Sequence, residues 1–157
     1  METGSVKLWR LTRAPFAALD GEGARLYGSR YAPPGSRVVS LASEAGLAVL
    51  VALRYHLPDL SLAPGDLVLG WTEVDAVPLR VPDPDEDAVR AFVGDWLAEC
   101  SSLLCAVPSR VLPEADVVLM NPAHPQAAQV EALTCRPFDF AQCLHRPPML
   151  DAYREFR

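Results

Sequence analysis

The residues of this chain best suited to chemistry are arginines set among glycines. The segment Leu19-Asp20-Gly21-Glu22-Gly23-Ala24-Arg25-Leu26-Tyr27-Gly28-Ser29-Arg30-Tyr31-Ala32-Pro33-Pro34-Gly35 holds four glycines and two prolines. Glycine lets backbone approach a ligand closely, and proline stiffens the loop that does so. Arg30 would present a rigid fork of donors suited to phosphate. Tyr31 beside it is suited either to stacking on a base or to packing. Upstream, Arg10 lies in a strand-like run, where it would bind an anionic ligand or pair with a carboxylate. Downstream, Ser109 follows a proline and offers a hydroxyl to a ribose, a phosphate or a turn. No motif pairs Ser109 with a histidine and an acid, so it does not read as a hydrolase nucleophile. An ordinary glycine-rich turn fits the segment equally well on composition alone.

The elements that must position these residues are set by composition first. A chain of 157 residues, half of them hydrophobic, predicts one globular domain, residues 1–157. The net charge of −6 argues against direct nucleic-acid binding and leaves room for a local basic pocket. No apolar run reaches the roughly 18 residues of a membrane span. Met1-Glu2-Thr3-Gly4 lacks a basic region followed by an apolar core, so no export signal is expected. Cys100, Cys105, Cys135 and Cys143 fit no tight zinc spacing, and His56, His124 and His145 are scattered. Reduced thiols and no metal are expected.

Val6 to Leu11 reads as a strand, with Val6, Leu8 and Arg10 on one face and Trp9 and Leu11 on the other. Val38 to Ala42 is a second, followed by a helix to about Tyr55 that Ser43 would cap and that reads as buried on most sides. Leu60 to Leu79 reads as strands with turns, Leu67-Val68-Leu69 and Trp71 to Val77 being two strands. A helix from about Asp87 to Glu99 follows the acidic, proline-punctuated stretch Pro82 to Asp87, with Ala88, Ala91, Phe92, Trp96 and Leu97 at helical spacing. Leu103 to Val107 and Val117 to Met120 are buried-type strands, and a short helix spans Pro125 to Glu131 before a strand-like tail. Strands and helices mix without strict alternation, which favours an α+β fold.

Several of these blocks, in order, resemble one family. Leu8-Trp9-Arg10-Leu11 looks like the opening strand of the RES domain, and Gly28-Ser29-Arg30-Tyr31-Ala32-Pro33-Pro34-Gly35 is similar to the loop bearing its second key arginine. Val107-Pro108-Ser109 looks like the block carrying its serine, and Asn121-Pro122-Ala123-His124-Pro125 like its "NP-x-HP" segment. In that last segment Asn121 and His124 read as structural hydrogen-bonders in a proline-bounded turn.

The resemblance implies a single compact domain with a small mixed or antiparallel sheet, similar to ADP-ribosyltransferase folds. It implies NAD as substrate, bound by Arg10, Arg30, Tyr31 and Ser109, with Arg30 and Ser109 in the catalytic set and no metal. It also implies a cytoplasmic toxin held in a hetero-oligomer by an Xre-like helix-turn-helix antitoxin. Two positions depart from the family: Ser40 stands where it has a tyrosine and Val51 where it has a glutamate. Cleavage of the nicotinamide–ribose bond passes through an oxocarbenium-like ribosyl cation. Losing one preorganised electrostatic group there typically costs about 100- to 1000-fold in rate. The resemblance therefore leaves two expectations: an NAD-consuming toxin (hydrolysis, phosphorolysis or ADP-ribose transfer), or a degenerate domain that keeps nucleotide binding and the antitoxin interface.

Overall fold

A computed structural model describes residues 4–56 and 62–144. Seven strands form one sheet: β1 (Ser5–Arg13), β2 (Val39–Ala42), β3 (Leu67–Asp75), β4 (Leu79–Arg80), β5 (Leu104–Pro108), β6 (Asp116–Met120) and β7 (Thr134–Pro137). Their order is β4-β5-β6-β2-β1-β3-β7. Only β4 and β5 run parallel; the other pairs are antiparallel, so the sheet is mixed and the fold is α+β. Among the described residues four helices accompany it: α1 (Glu22–Tyr27), α2 (Ala45–His56), α3 (Glu86–Glu99) and α4 (Phe140–Leu144). None of the described helices is long and apolar enough to cross a membrane.

The alternation of β1 separates two layers as its sequence requires. Trp9 and Leu11 pack with Leu47, Ala48, Val93 and Trp96 beneath α2 and α3. Leu8 and Val6 pack on the opposite face with Val39, Leu41, Val118 and Met120, covered there by Leu19 and by Ala127 of a 3-10 turn at Pro125–Gln129.

Several elements differ from their sequence reading, each for a physical reason. The two strands expected around Gly70 are one strand. A Cβ at Gly70 would lie 2.9 Å from the Cys135 Sγ and from the Leu133 Cβ, so this glycine serves close approach of the neighbouring segment rather than a turn. The start of that stretch at Leu60, and His145, lie outside the described residues. Ser43 does not cap α2: its Oγ accepts from the Asp116 amide at 3.0 Å, and the Ala48 amide donates to the Glu44 carbonyl. α2 also keeps an outward side, since Leu50 and Arg54 are exposed. In α3 the buried stripe is Val89, Val93 and Trp96, while Ala91 faces water. That helix starts one residue earlier than read, because the Asp85 carboxylate caps it by accepting from the Ala88 amide at 3.2 Å.

The glycine-rich segment is partly helical, which its glycines concealed. α1 is clamped at both ends by glycines at positive φ, Gly21 at 71° and Gly28 at 75°. A Cβ on Gly21 would meet the Val38 amide nitrogen at 2.8 Å, and one on Gly28 would meet the Pro34 Cδ at 3.0 Å. The Gly35 amide returns to the Arg25 carbonyl at 2.8 Å, closing the segment on itself. Gly21→Ala therefore destabilises the fold by about 1–3 kcal/mol through strain and clash. Gly94→Ala, mid-helix with nothing near its Cβ position, stabilises it by about 1 kcal/mol. Urea unfolding of the two variants beside wild type checks both signs.

Candidate functional site

The site begins where the sheet opens. β1 pairs β3 along all nine of its residues, but it meets β2 at a single register pair, Trp9↔Ala42. Beyond that pair the two strands part. The Arg10 guanidinium reaches across the gap, its Nη1 donating to the Ser40 carbonyl at 2.8 Å. A carbonyl facing a parted strand needs a donor, and the arginine supplies one.

A cavity of about 580 Å³ lies at this opening. β1, the segment from Gly23 to Tyr31, β2, α2 and Ser109 all contribute to its wall. Arg10, Arg30, Tyr31, Ser40, Val51 and Ser109, scattered over a hundred positions of sequence, thus line one space. Its lining holds four arginines (Arg10, Arg13, Arg30 and Arg54) and no carboxylate among the described residues. In a chain of net charge −6 this is a local basic pocket of a size that takes a small anionic ligand.

Three of the arginines are held in place by the protein. Arg13 forks onto Asp66, with Nε and Nη2 contacts of 2.9 Å. Arg30 forks onto Glu86 of α3, Nε to Oε1 at 3.0 Å and Nη2 to Oε2 at 2.8 Å, and its guanidinium lies 5.4 Å from the Tyr31 ring centre. Glu86 also receives Arg110 at 3.0 Å and Arg90 at 3.8 Å, while Arg90 Nε donates to the Arg30 carbonyl. One carboxylate thus gathers three arginines. The hydrogen bond from Arg30 holds Glu86 down at about 2, with Arg30, Arg110 and Arg90 adding through their charges. Tyr31 is only 7% exposed, so it packs and underlies Arg30 as well as facing the cavity.

Ser109 is buried at the end of β5, and its Oγ accepts from the Leu112 amide at 3.3 Å. Asn121 and His124 lie away from this cavity lining in structural roles. Asn121 Nδ2 donates to the Leu97 carbonyl and its Oδ1 accepts from the Ala123 amide; His124 Nδ1 accepts from the Gln126 amide. The described residues bring together no group of histidines, cysteines and acids able to hold a metal. Cys105 is buried, and burial pushes its thiol up to about 11.

Sequence reasoning missed Glu86, Arg54 and Tyr27. The stretch Pro82 to Asp87 reads as a solvated acidic loop, and nothing local marks Glu86 as the acid that meets Arg30. Arg54 was legible in principle: it lies three residues after Val51 on one helix, a spacing that shares a face.

Because Glu86 titrates from about 4.5 unfolded to about 2 folded, its stabilising effect is complete above pH 4.5 and is lost as pH falls toward 2. Glu86→Gln is therefore less stable than wild type at neutral pH, and the difference narrows across that acid window. Chemical denaturation of both proteins at intervals between pH 7 and pH 2.5 measures it.

Known proteins are similar to this chain in sequence and fold. The model of the RES domain matches residues 7–141. A "Prs ADP-ribosylating toxin" of Sphingobium sp. (strain YBL2) is 30% identical over 139 residues, covering 75% of this chain and 81% of its own length. A "Toxin Res" of Photorhabdus laumondii is 30% identical over 126 residues, covering 73% and 81%. Among solved structures, the M. tuberculosis MbcT–MbcA toxin–antitoxin complex contains a chain that matches with a TM-score of 0.69 at 20% identity, covering 89% of this chain and 87% of that one. With the family model spanning residues 7–141 and curated toxins 30% identical over most of their length, the chain belongs to the RES domain family.

Proposed function

We propose that the protein is the toxin of a toxin–antitoxin pair and that its cavity binds NAD and cleaves the nicotinamide–ribose bond. The observation that carries this reading is the cavity itself, whose described lining holds four arginines and no carboxylate. A dinucleotide pyrophosphate is an anion of suitable size, and arginine holds phosphate through paired donors. Arg10 and Arg30 take the pyrophosphate in this reading. Glu86 occupies the Nε–Nη2 edge of Arg30, so the phosphate meets its outer edge. Tyr31 supports that guanidinium and borders the ligand. Ser109 donates its hydroxyl to a ribose or phosphate oxygen. Nicotinamide leaves from an already cationic nitrogen, so little acid help is required, and Arg30 and Ser109 act by orienting the ribosyl phosphate. The names of the relatives support the reading, one being an ADP-ribosylating toxin and another a toxin bound to its antitoxin. A cytoplasmic Xre-like helix-turn-helix antitoxin would cover the cavity in a hetero-oligomer, with no direct nucleic-acid contact by this chain.

Ser40 and Val51 favour a second reading, a domain that binds the dinucleotide and turns it over slowly if at all. Both residues line the cavity where a stacking ring and a cation-stabilising carboxylate would act. Incubating the purified chain with NAD, with and without phosphate and with candidate acceptor proteins, and following nicotinamide release decides between the readings. Rapid release supports the toxin enzyme, and phosphate dependence identifies the acceptor. Binding without release supports the degenerate domain. No binding to folded protein contradicts both.

Two variant series extend this. Arg30→Ala weakens NAD binding more than Ser109→Ala, since a charge-assisted paired contact is roughly twice as strong as a neutral one; calorimetric titration compares them. Val51→Glu raises nicotinamide release by on the order of 100-fold over a slow wild type, more so with Ser40→Tyr. The new carboxylate would have Arg54 as its i,i+3 neighbour on α2, which limits the cost of placing it there. Release rates are read beside denaturation midpoints. A folded Val51→Glu variant with no gain, beside a fast wild type, assigns the electrostatic role to another residue.

A further inference from the structure

The lining contains an aromatic ring that the fold leaves largely uncovered. Tyr27 is 76% exposed, the most exposed of the large hydrophobic side chains described on this wall, although it lines the cavity. It is the last residue of α1, and α1 is held as a rigid step. Both flanking glycines are fixed at positive φ against neighbouring backbone or proline. Glu22 forks onto Arg25 within the helix and takes Arg37 at 3.0 Å from the far side of the segment. Phe16, also in the lining, meets Tyr27 in a T-shaped contact, centroids 6.1 Å apart and planes at 79°. A T-shaped contact orients a ring and occupies at most one of its faces, leaving the other open. At the same cavity Ser40 supplies no ring, and the Tyr31 ring is buried beneath Arg30.

We infer that Tyr27 is a stacking platform for an aromatic base of the ligand, a specificity-determining residue at the mouth of the cavity. The inference rests on the dinucleotide reading above. The ligand chemistry is a planar heteroaromatic ring, carried by the adenine end or the nicotinamide end of the molecule. A stack on a ring already fixed by Phe16 and α1 costs little ordering on binding. Tyr27 and neighbouring Leu26 form too small an apolar surface to identify a protein-docking site.

The test uses the full chain, with Tyr27→Ala and Tyr27→Phe beside wild type, and calorimetric titration with NAD, ADP-ribose, nicotinamide mononucleotide and inorganic pyrophosphate. Tyr27→Ala is expected to weaken NAD about 5- to 100-fold, the range found for base–aromatic stacks. It should weaken by a similar factor the one half-ligand that carries the stacked base, and leave the other half and pyrophosphate within about twofold. Tyr27→Phe, which keeps the ring, should stay within about twofold for all four. Unchanged NAD affinity in Tyr27→Ala overturns the platform. So does an equal loss for base-free pyrophosphate, which would mean that the variant had moved α1. If wild type binds none of the four, the dinucleotide reading has failed and the platform falls with it; if wild type binds NAD and Tyr27→Ala binds it equally, only the platform has failed.

Discussion

The structure turns on the hydrogen bond by which Arg10 spans the opening between β1 and β2. A sheet in which β1 paired β2 as fully as it pairs β3 would have no cavity at this place. The pairing is limited to Trp9↔Ala42, and the Arg10 guanidinium meets the Ser40 carbonyl beyond it at 2.8 Å. An unsatisfied carbonyl there would cost about 1–3 kcal/mol, so the opening and the arginine belong together. The same side chain that satisfies the backbone brings a positive charge into the cavity it holds open. Apolar residues on both faces of β1 then fix the strand, so the guanidinium is placed by the core and not by a mobile loop.

The second constraint is electrostatic. Four arginines around one space repel one another unless each charge is offset nearby. The fold offsets them from outside the cavity: Asp66 behind Arg13 and Glu86 behind Arg30. Glu86 stands in the first turn of α3, where the helix dipole also favours a carboxylate. Among the described residues the lining therefore stays free of acids and keeps its positive charge, while the protein as a whole carries net negative charge. Arg13 and Arg54 are the exposed arginines of the lining, and Arg10 and Arg30 are partly buried.

Much of this was legible in the sequence, and the failures are instructive. The alternation of Val6, Leu8 and Arg10 against Trp9 and Leu11 gave β1 its two faces, because both faces are buried and period two is then unambiguous. The resemblance grouped Arg10, Arg30, Tyr31 and Ser109, which line one cavity, whereas Asn121 and His124 of a further block lie outside it. Glycine misled in both directions. Gly70 reads as a break yet sits inside a strand to admit Leu133 and Cys135, and the glycines around α1 conceal a helix that they delimit. Glu86 was not legible, since its partnership with Arg30 spans 56 residues and depends on how α3 docks. Ser43 shows the same limit: a hydroxyl placed to cap α2 bonds instead to β6, which tertiary packing brings beside it.

The most direct test of the account is an amide map of NAD binding by two-dimensional NMR of the isotopically labelled chain. The account predicts saturable shifts at Leu11 to Arg13, Gly28 to Tyr31, Ser40 to Ala42 and Ser109, the segments that meet at the opening between β1 and β2. Saturable shifts confined to another face of the protein, or none at millimolar NAD with the fold intact, would contradict it.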